Sequence, residues 1–272
     1  SIIFFTPLIF WAVIVLIIDP FNYFQLSKYV SLEQKNNNAK KINQLLFKTI
    51  DFTNSPSSNI LIGDSRTERL SVKRLEGLTQ NKYTDLTNNA AKLNEIIELI
   101  YLADESIDLD QIILGINFNM FNEYSFSDRV KNVKAIVSNP LRYIFNKNIL
   151  EAVFYISRSI IFGNSVNTVP KMDKKRFWDY TMESRPFQWY SKYKYPEKIE
   201  KDLLLLDEYC KKKDIEFLIF IVPHFIDFQI KMREFDIINH HKRFLTILSK
   251  MNAKVINYDF DNIITNKANN FT

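Results

Sequence analysis

The sequence predicts an α/β fold: a parallel sheet with helices on both faces, preceded by one N-terminal transmembrane helix and interrupted by a helical insertion. Three observations lead to it. Short apolar segments alternate with amphipathic ones from Asn59 onward, as in β-α-β units. Only four glycines serve 272 residues, and two of them end apolar segments. The first residues are almost uniformly aliphatic or aromatic.

The N-terminal apolar run extends from Ile2 to Ile18, is interrupted only by a Thr-Pro pair, and ends at Asp19-Pro20. A helix of this length, at about 1.5 Å per residue, is at the short end of what spans the hydrocarbon core of a bilayer. A secretory signal peptide would be followed by a small-residue cleavage site, and none is present here. We therefore predict an uncleaved membrane anchor at residues 1–20. A signal peptide and a buried core helix are the alternatives.

Composition excludes several classes of function. The net charge is +5, from 36 basic and 31 acidic residues that are interleaved along the chain, so no nucleic-acid partner is expected. The single cysteine, Cys210, excludes an internal disulfide and a cysteine-based metal site. Its helical spacing from Leu203 and Leu206 predicts a buried structural thiol. We expect no metal and no organic cofactor.

The residue pattern in the first half of the chain predicts a linker followed by three strands. Residues 21–58 are predicted to form a juxtamembrane stalk or linker, because polar and charged residues dominate up to Lys48 and a Ser/Asn/Pro-rich loop follows. Apolar residues at helical spacing from Leu93 to Tyr101 predict a helix with one face in the core. The predicted elements of this half are a strand at 59–62, a helix at 67–80, a strand at 83–86, the helix that begins near Leu93 and a strand at 112–114.

The second half predicts an insertion before the alternation resumes. Residues 121–196 are rich in aromatic and basic residues and include a helical patch at 149–161. This insertion is predicted to cover one end of the sheet as a lid or a membrane-proximal face, its rings offering stacking surfaces for sugars or acyl chains. Alternatively, the rings pack only its own core. The remaining predicted elements are a helix at 198–213, a strand at 216–222, a helix at 230–251 and a strand at 254–258.

Two short motifs follow predicted strands. Gly63-Asp64-Ser65 comes after the first strand, and Gly115-Ile116-Asn117 comes after the third. In a chain so poor in glycine, each motif glycine is expected where a side chain would obstruct a turn or a close backbone approach. The carboxyl ends of parallel strands meet at one edge, where open α/β sheets bind ligands. Ser65 is therefore either a nucleophile at that edge or a turn or N-cap serine assisted by Asp64.

In order, spacing and strand context, the two motifs resemble the first and third sequence blocks of the SGNH (GDSL-type) hydrolases and acyltransferases, over residues 59–272 with the insertion outside. The resemblance implies an SGNH-type, flavodoxin-like sheet. It makes Ser65 the nucleophile that forms an acyl-enzyme, supported by Asp64, while the Ser65 backbone N–H and the Asn117 side chain stabilise the oxyanion. Gly115 is implied as the backbone of the third block.

The chain departs from the family pattern at two places. The second block normally supplies an oxyanion donor from a glycine, whereas residues 86–91 contain none, so a backbone N–H of Asn89 or Ala90 is the expected substitute. The family also places an Asp-x-x-His pair after its last strand, and Asn269–Thr272 is similar to the approach to that pair. We therefore expect a truncated C-terminus, or alternatively a lost histidine and an inert domain.

Two further residues are expected to line the substrate site. His224 stands at the carboxyl end of the fourth strand, outside the block that holds the family's base, and Arg66 directly follows the predicted nucleophile. Both are assigned to substrate binding.

The anchor, stalk and domain together are similar to the membrane-anchored bacterial members of the family, which modify cell-surface polymers. The resemblance implies an extracytoplasmic serine esterase or O-acyltransferase acting on a cell-envelope polysaccharide or a teichoic-acid-like polymer. Its partners would be an acylated or acyl-accepting envelope glycan and, through the N-terminal helix, the membrane. One alternative is an inactive module that binds glycan or partners a membrane-bound acyltransferase. Another is a cytoplasmic-facing, lipase-like enzyme, which requires the opposite anchor orientation.

Overall fold

A computed structural model describes residues 2–26, 29–162 and 173–271. Ser1 of the predicted anchor, residues 163–172 of the predicted insertion and Thr272 at the predicted truncation lie outside the described residues. The strands are β1 (Asn59–Ile62), β2 (Thr84–Asp85), β3 (Gln111–Ile116), β4 (Glu216–Ile221) and β5 (Lys254–Asn257). The α-helices are α1 (Ile2–Ile18), α2 (Leu32–Asn54), α3 (Val72–Thr79), α4 (Leu93–Ser106), α5 (Arg129–Val137), α6 (Pro140–Ile144), α7 (Lys147–Phe162), α8 (Lys174–Asp179), α9 (Arg185–Tyr190), α10 (Glu197–Lys212), α11 (Ile226–Lys231) and α12 (Ile238–Leu248).

The five strands form one parallel sheet in the order β2-β1-β3-β4-β5, flanked by helices. The predicted α/β fold with a parallel sheet is therefore confirmed. This is the strand order of flavodoxin-like sheets, in which ligands bind where the order reverses, here between β1 and β3. Gly63-Asp64-Ser65 follows β1, whereas Gly115 and Ile116 end β3 and Asn117 follows it, so both motifs lie at the switch point of the sheet.

Burial explains why the central strands read as continuous apolar runs. All side chains from Ile60 to Ile62 are fully buried, as are Ile112 and Leu114 on β3, because helices cover this parallel sheet. The predicted apolar stripe of α4 is also in the core, from Leu93 to Ile100. The single helix predicted at 230–251 is wrong: α11 and α12 are separate helices, and Asp236 between them has a left-handed φ of +53° that no α-helix can contain.

The chain divides into two compact units. The first consists of the described residues of Ser1–Pro56 and Asp128–Pro170, so it joins most of the predicted stalk to part of the predicted insertion. The second consists of the described residues of Ser57–Ser127 and Lys171–Thr272 and contains the whole sheet. Every residue assigned to the site by the sequence belongs to this second unit.

Within the first unit, α2 packs against α5 and α7, and α1 packs against α7. The buried carboxylate of Asp19 ends α1 sharply, because it accepts hydrogen bonds from the backbone N–H groups of Tyr23 at 2.8 Å and Gln25 at 2.9 Å. In the described residues, α1 included, no helix has both the length and the apolarity needed to cross a membrane. The transmembrane helix therefore stays a prediction.

Candidate active site

The two motif glycines allow Thr67 to pack between the ends of β1 and β3. Gly63 has a φ of +153°, and a Cβ there would lie 2.7 Å from the carbonyl oxygen of Gly115. A Cβ on Gly115 would lie 2.7 Å from the Cβ of Thr67, which is itself fully buried. Both contacts are closer than folded proteins tolerate, so glycine is required at each position for the reason the sequence suggested.

We expect Gly115→Ala to lower the free energy of unfolding by about 1–3 kcal/mol, because the new methyl group overpacks a site that Thr67 already fills. Urea unfolding followed by circular dichroism measures the change. Gly77→Ala is the matched control: Gly77 lies in α3, and a Cβ there meets nothing within 4 Å. Equal stability of the Gly115→Ala and wild-type chains would contradict the packing argument.

The carboxylate of Asp64 organises the turn after β1. Its Oδ1 accepts the backbone N–H of Arg66 at 3.0 Å, and its Oδ2 accepts the Arg66 guanidinium through Nε at 3.0 Å and Nη2 at 2.8 Å. Burial alone would raise the pKa of Asp64, but the charge and hydrogen bonds of Arg66 outweigh burial and hold this pKa below its usual range. Asp64 is therefore ionised at neutral pH and fixes the position of Arg66.

Asn117 connects this turn to β3. Its side chain is fully buried, and its Nδ2 lies 3.0 Å from Asp64 Oδ2 and 3.1 Å from Met120 Sδ. Its Oδ1 has no hydrogen-bond partner among the described residues. In this conformation the amide supports Asp64, and its role as an oxyanion donor stays a prediction.

The predicted nucleophile and the residue after it differ sharply in their surroundings. Ser65 is exposed and makes no hydrogen bond to any described residue. Arg66 is only 24% exposed at its side chain, and its Nη1 contacts Nε2 of His224 while its Nη2 donates to Asn119 Oδ1 at 2.9 Å. Because a guanidinium has only donors, Nε2 of His224 must accept, which places the imidazole proton on Nδ1.

His224 is held by Asp259, which sequence reasoning did not assign. Nδ1 of His224 lies 3.1 Å from Asp259 Oδ2, and the backbone N–H of His224 donates to Asp259 Oδ1 at 2.7 Å. Gln229 donates to the same Oδ1 at 3.1 Å, and the ring of Phe228 stacks on the imidazole with centroids 4.9 Å apart. Both members of the pair are buried. The result is a fixed, oriented histidine–carboxylate dyad.

The charge state of the dyad follows from its surroundings. Burial would raise the pKa of Asp259, but the positive charge that His224 carries when it is protonated and the hydrogen bonds from that residue dominate and lower this pKa below its usual range. His224 follows β4 and Asp259 follows β5, and these strands are neighbours in the parallel sheet. The sequence did contain one indication of Asp259: it is an acidic residue just after the last strand, at the same edge of the sheet as Ser65.

The region matching the second block forms a tight turn after β2. The backbone N–H of Asn88 donates to the carbonyl oxygen of Gly63 at 2.9 Å, which ties the turn to the Gly-Asp-Ser segment. Asn89 and Ala90 are exposed beyond it, and Ala90 has a left-handed φ of +52°. Their role as backbone donors to a substrate stays a prediction.

Ala90 occupies the left-handed conformation that glycine adopts without strain. We expect Ala90→Gly to raise the free energy of unfolding by about 1 kcal/mol, because the left-handed conformation costs an alanine roughly that amount. Chemical denaturation of both chains measures the difference. Ala91→Gly is the control; Ala91 is buried and has no positive φ, so this variant is expected to be destabilised. A loss of stability in Ala90→Gly would contradict the argument.

A cavity of about 100 Å³ lies beside His224 and Arg66. The edge-to-face contacts of Trp178 with Phe225, at 5.0 Å, and of Trp189 with Phe228, at 5.5 Å, build its wall. Aromatic residues of the predicted insertion thus line a cavity and also pack against the loop after β4. The aromatic lining residues are Phe177, Trp178, Trp189, Phe225, Phe228 and Phe271.

Comparison with protein-family models, curated proteins and solved structures gave no match to this chain.

Proposed function

We propose that this chain is a membrane-anchored, extracytoplasmic serine esterase or O-acyltransferase of the SGNH type. In this proposal Ser65 is the nucleophile, His224 the general base and Asp259 the residue that orients the base. The single observation that carries the proposal is the buried His224–Asp259 pair, whose Nε2 faces Arg66, the residue next to Ser65. The order of the three residues along the chain differs from the family's, but such triads are defined by geometry and roles.

The proposed reaction follows from the proton positions. Asp259 holds the proton of His224 on Nδ1, which leaves the Nε2 lone pair to accept a proton. When the Ser65 hydroxyl replaces Arg66 at Nε2, His224 takes the hydroxyl proton as Oγ attacks the ester carbonyl. The tetrahedral intermediate collapses to acyl-Ser65 and the leaving alcohol takes the proton from His224. Water or an acceptor hydroxyl then releases the acyl group by the reverse sequence.

Oxyanion stabilisation is proposed for the Ser65 backbone N–H and, after reorientation of its amide, for Asn117. Each such donor is worth about 3–4 kcal/mol of transition-state stabilisation. Asn117 is one hydrogen bond away from the Gly-Asp-Ser turn through Asp64, so a shift of Arg66 and Asp64 on substrate binding would release its Nδ2.

A second candidate function is favoured by the same contact. If Arg66 stays on Nε2 of His224, Ser65 has no base, and the domain is an inactive module that binds an envelope glycan or partners a membrane-bound acyltransferase. The two functions differ in one respect that can be measured: only the enzyme turns over an ester.

Membrane attachment is proposed for α1. Its 17 residues carry large apolar side chains that are 45–66% exposed, an arrangement that favours a lipid environment. The exposed set is Phe5, Leu8, Ile9, Phe10, Val13 and Ile17.

The test is ester hydrolysis by the purified whole chain in uncharged detergent micelles. We expect saturable release of 4-nitrophenol from 4-nitrophenyl acetate and much slower release from the octanoate, because the cavity of about 100 Å³ holds only a short acyl group. Octanoate hydrolysed as fast as acetate would contradict the short-acyl assignment. Release no faster than in buffer, by a chain that circular dichroism shows to be folded, would exclude the esterase and favour the binding module.

A further inference from the structure

The cavity beside His224 carries uncompensated positive charge. Three arginines line it, Arg66, Arg69 and Arg185, and none of its described lining residues is acidic. Arg66 is paired with Asp64 at 2.8 Å. Arg69 and Arg185 form no ion pair with any residue that the structure describes. Two cations without carboxylate partners therefore border one small cavity.

Arg185 is positioned by aromatic rings instead of carboxylates. Its guanidinium carbon lies 5.3 Å from the centroid of the Phe177 ring, 5.4 Å from that of Tyr180 and 5.9 Å from that of Trp189. Cation–π contacts of this kind hold a guanidinium in place without neutralising it. The planar fork of N–H donors thus remains available for a phosphate or a carboxylate, the groups it matches best.

A separate observation concerns a hydroxyl at the same cavity. A π-helical turn, Tyr180–Ser184, places Thr181 among the lining residues, and π-helical turns occur frequently at functional sites. The Thr181 hydroxyl is buried and has no hydrogen-bond partner among the described residues. A buried hydroxyl without a partner is destabilising, so a ligand oxygen that accepts a hydrogen bond from Thr181 would be stabilised there.

We propose that Arg69, Arg185 and Thr181 form a subsite for an oxyanion, and that the ester handled at Ser65 carries a phosphate or carboxylate on its alcohol part. In this proposal the short acyl group enters the cavity of about 100 Å³, and the anion lies against the exposed Arg69. The natural polymer is then an anionic one, a polyol phosphate or an acidic polysaccharide, and not a neutral glycan. The anion subsite is inferred from the cavity alone. The inference about the ester rests on the proposed function.

Intrinsic tryptophan fluorescence tests binding, because Trp178 and Trp189 both line the cavity. The whole chain in uncharged micelles is titrated with glycerol phosphate, glucuronate or glycerol. We expect a saturable change with an anion, none with glycerol, and weaker binding at high salt. Arg69→Gln and Arg185→Gln should each raise Kd about tenfold, whereas Arg74→Gln, an exposed position on α3 away from the cavity, should not. A lower Kd for glycerol phosphate would indicate a polyol phosphate as the natural polymer, and a lower Kd for glucuronate an acidic polysaccharide.

Unchanged Kd values in folded Arg69→Gln and Arg185→Gln chains, or equal binding of glycerol, would overturn the subsite. Arg69→Gln keeps the test decisive if Arg185→Gln unfolds, because the Arg69 side chain is exposed and bonds no described residue.

A kinetic comparison separates this inference from the proposed function. We expect kcat/KM to be about tenfold higher for O-acetylglycerol phosphate than for O-acetylglycerol, and this preference to disappear in Arg69→Gln. Equal turnover of both esters would overturn the inference and leave the esterase intact. Arginine-dependent binding of the anion with no turnover of either ester would overturn the esterase and leave the subsite intact.

Discussion

Replacing Asp259 by Asn is expected to lower kcat for ester hydrolysis about 10,000-fold with little change in KM. Asp259 fixes the proton of His224 on Nδ1 through a contact of 3.1 Å, and an amide in its place can hold the ring in the wrong tautomer. Because Asp259 lines no part of the cavity, substrate binding should be unaffected. Steady-state kinetics with 4-nitrophenyl acetate measure both constants.

Asp261→Asn is the matched control for this prediction. Asp261 lies two residues further along the same loop and is exposed, and among the described residues its side chain bonds only Asn266, so its replacement should leave kcat unchanged. A fall in kcat of the same size in both variants would indicate a general disturbance of the loop. A kcat in Asp259→Asn equal to that of the wild type would contradict the assignment of His224 as the general base.

The Asp259 pair also predicts a pH dependence of stability. Because the pKa of Asp259 is lower in the folded chain than in the unfolded one, its contribution is present above the unfolded value, about 3.9, and is lost as pH falls through the folded value. Asp64 has a lowered pKa for an analogous reason and adds to the same acid sensitivity. Urea unfolding below pH 4 should therefore show a smaller loss of stability for Asp259→Asn than for the wild type.

Ser65→Ala is expected to reduce turnover about a millionfold, to the level set by binding alone. The residue is exposed and makes no hydrogen bond to the described residues, so its removal should not alter the free energy of unfolding. Ester hydrolysis and thermal unfolding of the same preparation measure the two effects together. Ser58→Ala, at the opposite end of β1, is the control. An unchanged rate of ester hydrolysis in Ser65→Ala would contradict the assignment of Ser65 as the nucleophile.

The fold could be predicted from the sequence because buried strands and half-buried helices require different patterns of apolar residues. The apolar runs of β1, β3 and β4 stand between amphipathic helices, and each pairs in parallel as that alternation requires. The role of the two motif glycines was also predictable, since a glycine-poor chain keeps them where Thr67 leaves no room. Helix ends were less predictable, because the break at Asp236 depends on a left-handed residue with no glycine to mark it.

The site was predicted only in part. Ser65, Asp64 and His224 were placed at one edge of the sheet because each follows a strand. The Asp259 partner was missed because the resemblance implies an Asp-x-x-His pair further along the chain, and the one sequence signal for Asp259, its place just after the last strand, is shared by Asp261. The contact between Arg66 and Nε2 of His224 depends on a side-chain conformation, which sequence spacing does not determine.

The most direct test of the central claim is covalent labelling of the whole chain by a serine-reactive phosphonate, located by mass spectrometry of its peptides. We expect one adduct on Ser65. It should be lost in Ser65→Ala and form much more slowly in His224→Asn, but not in His240→Asn, whose ring contacts those of Tyr193 and Tyr195. A folded wild-type chain without an adduct on Ser65, or labelling that is unchanged in His224→Asn, would contradict the central claim.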